Sequence, residues 1–112
     1  MTDNIINLAI QVLPLSGQGD KYAIIDKAIN CIHQSGLKYK VCPFETVIEG
    51  RYSEVMSLVD RIQQIVFEAG SDEVLINMKL QRRKDRDVFI DEKTGKYEDA
   101  ASTNAEIGRA HV

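Results

Sequence analysis

Apolar residues recur at two different spacings along the first part of the chain, and each spacing is typical of one kind of secondary structure. Residues 6–12 alternate between apolar and polar side chains, which predicts a strand that ends at Pro14. Residues 20–36 carry apolar side chains three or four positions apart, which predicts a helix capped by Asp20 and ended by Gly36. The chain is therefore expected to begin with a strand followed by a helix.

The same two patterns return further along the chain. Short strands are predicted at 38–42 and 45–49, on either side of Pro43, because proline lacks the N–H that a central strand position needs. An apolar stripe predicts a second helix over 53–69, and alternation over 73–82 predicts a fourth strand. The predicted order is thus β-α-β-β-α-β.

This order predicts an α+β fold, the ferredoxin-like plait, in which two helices lie on one face of a four-stranded antiparallel sheet. Four apolar residues should lie in the core beneath the helices: Ile10, Val12, Ile76 and Met78. The other sheet face has no predicted cover within the chain and carries polar residues: Asn7, Gln11, Asn77, Lys79 and Gln81. Because an uncovered sheet face or edge is open to pairing, we expect a homo-oligomer, either a dimer or a tetramer.

The last part of the chain has a different composition. We expect residues 1–83 to form the domain and residues 84–112 to form a polar C-terminal extension that is partly disordered. Within this extension, Thr94 and Gly95 favour a loose hairpin. A mobile tail is expected over 100–112.

Size and charge exclude several classes of protein. The chain has 112 residues, enough for one domain, and its 14 Lys and Arg against 17 Asp and Glu give a formal net charge of −3. Because nucleic-acid binding needs a strongly basic surface, no nucleic-acid partner is expected for this acidic chain. The apolar runs are far shorter than the ~20 residues needed to cross a bilayer, so no membrane association is expected. The N-terminus lacks a signal-peptide pattern and two cysteines cannot form a disulfide scaffold, which predicts a cytoplasmic protein.

Residue types used in catalysis or metal binding are scarce. The two histidines, His33 and His111, are not spaced as metal ligands with the cysteines, so no metal site is predicted. Glycines 17 and 19 lack the third glycine and the lysine of a phosphate-binding loop. The sequence therefore offers no standard catalytic or cofactor motif.

The segment from Tyr39 to Glu49 combines carboxylates, a hydroxyl and an aromatic ring. Glu45 and Glu49 suit general acid–base catalysis, or the binding of an amidine-like heterocycle on which Tyr39 stacks, or they are simply exposed strand residues. Three classes of function stay open. The chain is a small-molecule binding module, a regulatory or interaction plait whose open face is only an oligomer interface, or a small enzyme that uses Glu45 and Glu49.

Several segments of the chain resemble the YkoF-like thiamine-binding family over about residues 4–83. The similar segments are 10–14, 20–22, 36–39, 43–50 and 79–83, of which the stretch from Tyr39 to Gly50 is the most specific. The resemblance implies a ferredoxin-like fold and oligomers built by sheet packing. It also implies that the chain binds thiamine or its hydroxymethylpyrimidine moiety in the cytoplasm, with no assigned reaction and no cofactor besides this ligand.

The resemblance also suggests where the ligand binds. Thr46 and Glu49 match the Thr-x-Ile-Glu pattern of the family, and strand alternation adds Gln11, Asn77 and Tyr39 as candidate neighbours. We expect Glu49 to make the strongest polar contact. Thr46 and Glu49 are three residues apart, so a regular strand directs them to opposite faces. A bulge, a neighbouring subunit or the exclusion of one residue from the site would resolve this conflict.

Overall fold

Four strands and three helices follow one another in the computed structural model, which describes residues 2–103. The elements are β1 (Ile5–Gly17), α1 (Lys21–Gln34), β2 (Lys38–Val41), β3 (Thr46–Arg51), α2 (Tyr52–Glu68), β4 (Ser71–Gln81) and α3 (Ile90–Thr103). The first six confirm the predicted ferredoxin-like plait, and α3 was not predicted. None of the helices within these residues is long and apolar enough to span a bilayer.

The strands form one antiparallel sheet in the order β2-β3-β1-β4. Directly opposed residues in such a sheet point to the same face, so the pairing assigns each side chain to a side. Ile10 pairs with Thr46 on β3 and with Met78 on β4, and these three face α1 and α2. Asn7 pairs with Glu49 and with Gln81, and these three face the other way.

The core lies between the sheet and the first two helices. Ile6 and Leu8 of β1 are fully buried, and Ile62 of α2 and Ile48 of β3 are also 0% exposed. Val12 and Ile76 are partly buried against this cluster, as the alternation predicted. The prediction that Met78 lies in the core is wrong, because its side chain is 46% exposed. Met78 belongs to the edge strand β4, and the helices leave its end of the strand uncovered.

The strand β1 extends past Pro14, where the sequence predicted its end, and continues to Gly17. Its pairing with β3 stops at Ile10, so the rest of β1 has a neighbour only in β4 and can hold a proline. The paired strands β1 and β4 end where Gln18 N–H donates to the Gly70 carbonyl at 2.8 Å. Gly17 has a φ of +110°, and a Cβ there would collide with the Gly70 carbonyl oxygen. Glycine is therefore required at this position.

The N-terminal segment caps α2. Arg51 at the N-cap position makes no side-chain cap bond, and the Asp3 carboxylate supplies it instead. Asp3 accepts from the Ser53 backbone N–H at 2.8 Å and from the Ser53 hydroxyl at 2.6 Å. These bonds lower the pKa of Asp3 below its ordinary value. The Asn4 carbonyl accepts from Tyr52 N–H at 3.0 Å, so two residues ahead of β1 satisfy two of the free backbone donors at the start of the helix.

The segment after β4 forms a helix, and the loose hairpin predicted at Thr94 and Gly95 is wrong. Both residues lie inside α3. Val88, just before the helix, is 0% exposed and donates its N–H to the Ile5 carbonyl at 2.9 Å. This buried contact holds a segment whose polar composition gave no periodic signal. The mobile tail predicted over 100–112 begins within α3, and residues 104–112 lie outside the described residues.

Candidate functional site

The α3 segment covers part of the sheet face that the sequence left open, so that expectation is corrected. Its entry is tied to β1, since Asp87 Oδ1 accepts from Ile5 N–H at 2.8 Å. In the first turn of the helix, the Glu92 carboxylate pairs with the Arg83 guanidinium at 2.9 Å. This pairing lowers the pKa of Glu92 below its ordinary value and raises that of Arg83. The α3 segment is thus bound both to β1 and to the residues that follow β4.

A cleft of about 540 Å³ lies between α3 and the sheet. This volume is within the range of small-molecule sites, roughly 300–1,000 Å³. Most of the cleft lining comes from the exposed face of the sheet: Asn7, Ala9, Lys40, Cys42, Val47, Lys79 and Gln81, with Leu8 and Leu80 beside them. The helix contributes the opposite wall: Ile90, Lys93, Thr94 and Tyr97.

Strand pairing arranges the floor of the cleft in rows across the sheet. One row runs from Lys40 through Val47 and Ala9 to Lys79, so an apolar centre lies between two lysines. The next row runs from Lys38 through Glu49 and Asn7 to Gln81. Adjacent strands are ~4.8 Å apart and alternate residues on one strand are ~6.7 Å apart, so a small ring spans the two rows.

Glu49 lies behind the cleft wall and is bound by residues that form it. Its side chain is 10% exposed and its Oε1 accepts from the Ile90 backbone N–H at 2.6 Å and from Asn7 Nδ2 at 3.3 Å. The Lys38 ammonium lies 3.8 Å from its Oε2. Glu49 therefore joins the sheet to the first residue of α3.

Asn7 is the most buried polar residue of the cleft lining, at 5% exposure. Its Nδ2 also donates to the Val88 carbonyl at 3.1 Å. Its Oδ1 is buried and has no hydrogen-bond partner within the described part of the chain. Strand alternation predicts that Asn7 lies on the polar face, and only the tertiary structure shows its partners.

The five residues predicted for the site do not come together. Gln11 and Asn77 share the cleft's face and bond to each other, with Asn77 Nδ2 donating to Gln11 Oε1 at 3.1 Å. They lie four residues along the strand from the row of Glu49, or roughly 13 Å. Among the five, Glu49 hydrogen-bonds to two residues that line the cleft, Asn7 and Ile90.

Thr46 and Tyr39 face the helices. Thr46 is buried opposite Ile10, and the Tyr39 hydroxyl lies 2.8 Å from His33 Nδ1 of α1. The register of β3 against β1 is unbroken from residue 46 to residue 51, so no bulge turns Thr46 towards Glu49. A regular strand separates the two residues of the Thr-x-Ile-Glu pattern, as their spacing indicated.

A second groove, also of about 540 Å³, lies between α1 and α2. Cys31 lies at its base, and burial raises the pKa of this thiol, which makes it a poor nucleophile. In residues 2–103, no cluster of three or more His, Cys, Asp or Glu side chains is arranged to hold a metal ion. The cleft under α3 is the better candidate, because it combines apolar walls with a buried polar pair.

Fold and cleft together define a small α+β plait with a cleft of small-molecule size on the sheet face opposite α1 and α2. The sequence model of the family described as "Thiamine-binding protein" matches residues 8–98. The chain belongs to this family. The match runs past residue 83 into α3, so the helix that forms one wall of the cleft is part of the family pattern.

Known relatives agree with this assignment. A UPF0045 protein of Clostridium perfringens is 35% identical over 91 residues, which are 81% of this chain and 95% of the relative. The structure of a domain of unknown function from Bacillus cereus superposes with a TM-score of 0.79 at 36% identity, covering 84% of this chain and 90% of that one. A Thermotoga maritima protein, named for a suggested role in thiamine biosynthesis or salvage, superposes with a TM-score of 0.73 at 27% identity, covering 83% and 98%.

Proposed function

We propose that this chain is a non-catalytic binding protein for thiamine or its hydroxymethylpyrimidine moiety, and that the ligand binds in the cleft under α3 with no further cofactor. One observation carries the proposal. In a chain of the thiamine-binding family, a cleft of about 540 Å³ is lined by the buried amide of Asn7, which donates to the Glu49 carboxylate behind the cleft wall. These groups suit the aminopyrimidine ring that both ligands share.

The chemistry of the cleft supports this ligand. An aminopyrimidine presents an amino donor beside a ring-nitrogen acceptor, and it needs an acceptor and a donor opposite them. Ala9 and Val47 supply an apolar floor and Tyr97 an aromatic wall for the rings. Each neutral hydrogen bond contributes about 1 kcal/mol net, and a bond to a charged carboxylate about 1.5–3 kcal/mol.

Of the site residues suggested by the sequence, Glu49 is proposed to make the strongest polar contact. Gln11 and Asn77 are proposed to contact the far end of a longer ligand, since they lie on the same sheet face as the cleft. Thr46 and Tyr39 face the helices, so their proposed part is to hold β3 and β2 in place.

The arrangement of carboxylates favours binding over catalysis. Glu45 lies in the loop before β3, four residues from Glu49, or roughly 13 Å in an extended chain. The two carboxyl groups of a catalytic acid–base pair flank one bond of the substrate and are closer together, about 5–9.5 Å apart in glycosidases. The proposal of a non-catalytic role rests on this spacing.

We also propose that the protein is cytoplasmic and that it self-associates as a dimer or tetramer. The edge strand β4 exposes three large apolar side chains: Leu75, Met78 and Leu80 at 47%, 46% and 43%. An edge strand with exposed apolar groups favours pairing with a second copy. Light scattering at micromolar concentration tests this, and a monomer there contradicts it.

Isothermal titration calorimetry of the purified chain with thiamine and with hydroxymethylpyrimidine tests the function. Glu49→Gln keeps the side-chain shape and removes its charge, so affinity for thiamine should fall at least ~10-fold, or about 1.4 kcal/mol. Glu45→Gln removes a carboxylate from the neighbouring loop and should leave affinity unchanged. Failure of both ligands to bind the wild-type chain would refute the proposed function. Unchanged affinity in Glu49→Gln would instead move the site.

A further inference from the structure

The polar pair at the end of the cleft is occupied by the chain's own backbone. The Val88 carbonyl accepts from Asn7 Nδ2 at 3.1 Å, and the Ile90 N–H donates to Glu49 Oε1 at 2.6 Å. The segment Val88–Ile90 therefore presents one acceptor and one donor to the pair. An aminopyrimidine edge presents the same combination, a ring nitrogen and an amino group.

The orientation of the Asn7 amide follows from its neighbours. Both groups that it contacts, the Glu49 carboxylate and the Val88 carbonyl, are acceptors, so the amide nitrogen must face them. The Asn7 Oδ1 is then a buried acceptor that no donor in the described residues satisfies. Native proteins pair most buried polar atoms, and an unpaired one calls for an explanation.

We propose that Asn7 and Glu49 form the polar end of the ligand site, and that Val88–Ile90 fills it until the aminopyrimidine edge displaces this segment. The Asn7 amide would bind the ring nitrogen and the amino group together, as asparagine binds adenine in nucleic acids, and the ring nitrogen would replace the Val88 carbonyl as the acceptor for Asn7 Nδ2. The ligand thereby satisfies Asn7 Oδ1, which the segment leaves unpaired. This inference rests on the proposed function and adds to it the displacement of Val88–Ile90.

Displacement is required because the pair is covered. Asn7 is 5% exposed and its Nδ2 donates to the Val88 carbonyl, so the amide is free to bind a ligand only when the segment moves. Glu92 lies further along the chain than this segment and can keep its ion pair with Arg83. Ligand binding is therefore expected to release the entry of α3 while the helix stays attached.

Ile90→Pro tests the competition. Ile90 is the first residue of α3, a position where proline is compatible with a helix, so the substitution removes the N–H that Glu49 accepts. Ile90→Ala is the matched control, because it shortens the same side chain and keeps the N–H. Thiamine should bind Ile90→Pro about tenfold more tightly than Ile90→Ala in calorimetry, the effect of losing one competing charge-assisted bond.

The outcomes separate this inference from the proposed function. Equal or weaker binding by Ile90→Pro, with wild-type binding intact, overturns the competition and leaves the function standing. No binding by the wild type or by either variant overturns both. Tighter binding by Ile90→Pro supports both.

Amide hydrogen exchange gives a second readout on the wild-type chain. Saturating thiamine should speed exchange at Ile90, whereas an analogue with an oxo group in place of the amino group should not. Slower exchange at Ile90 would mean that α3 closes on the ligand, and it would overturn the proposal.

The charge of the cleft carries a separate inference. Lys40 and Lys79 stand at the two ends of one row of the floor, and Lys93 projects from α3 into the same cleft. No acidic partner lies within ion-pair distance of these three lysines in the described part of the chain. Three ammonium groups around one cleft disfavour a bare thiazolium cation and favour an anion. We infer that the cleft prefers the monophosphate ester of the ligand, and this inference also rests on the proposed function.

Calorimetry with thiamine and thiamine monophosphate tests this preference. The ester should bind at least ~10-fold more tightly at low salt, and the advantage should shrink as salt screens the charges. Lys40→Gln combined with Lys79→Gln should remove it, whereas Lys21→Gln, on α1, should not. Equal affinity for both forms in the wild type, or an advantage that survives the double substitution, would overturn the preference. If thiamine binds and the monophosphate does not, the phosphate preference is wrong and the proposed function stands.

Discussion

Truncation of Ile62 to alanine measures how strongly α2 is held to the sheet that carries the cleft. Ile62 is 0% exposed and belongs to the core cluster with Ile6, Leu8 and Ile10 of β1. The substitution deletes about three carbon groups, each worth about 0.8 kcal/mol on transfer from water. The cavity left behind adds to this, so the free energy of unfolding should fall by about 2–5 kcal/mol.

Urea unfolding followed by circular dichroism measures this loss at a fixed protein concentration, since self-association would add to stability. A small domain is stable by only about 5–15 kcal/mol, so the shift is large. Ile65→Ala on the same helix is the control, because Ile65 is only partly buried and should cost less. A near-neutral Ile62→Ala, or equal costs at both positions, would refute the packing of α2 described above.

Three further predictions concern backbone and charge. Gly17→Ala should destabilise the fold clearly more than Gly36→Ala in the same urea assay. Both glycines have a positive φ, but a Cβ would collide with backbone atoms only at Gly17, so Gly36→Ala should cost about 1 kcal/mol from backbone strain alone. Equal costs at the two positions would contradict the close approach of Gly17 to Gly70. Asp3→Ala should lower the thermal midpoint by uncapping α2, and an unchanged midpoint would show that the cap contributes nothing. The folded pKa of Glu92 is lowered by Arg83, so its contribution to α3 docking is complete above its ordinary pKa near 4.5 and is lost as pH falls through the lower folded value. The protection factors of the α3 amides, which correct for the intrinsic pH dependence of exchange, should therefore fall as the pH drops below 4.5 in the wild type but not in Glu92→Gln, and identical profiles would remove the ion pair from the docking.

Local patterns in the sequence are sufficient to predict the plait. Alternation in residues 6–12 and helical spacing in 53–69 are local patterns, and they state which side chains share a face before any tertiary contact forms. The same alternation separates Thr46 from Glu49, and the unbroken register of β3 shows that separation. Local periodicity was sufficient here because each element buries one continuous apolar stripe.

Only the tertiary structure decided what covers the exposed sheet face. The helix α3 is too polar to show a stripe, and it is held by single contacts: the buried Val88, the Ile90 N–H on Glu49, and the Arg83–Glu92 pair. Such contacts join residues up to about eighty positions apart and leave no period in the sequence. Burial of Asn7 and the cleft beside it follow from that docking. A polar segment is positioned by individual partners, and these become visible only when the chain is folded.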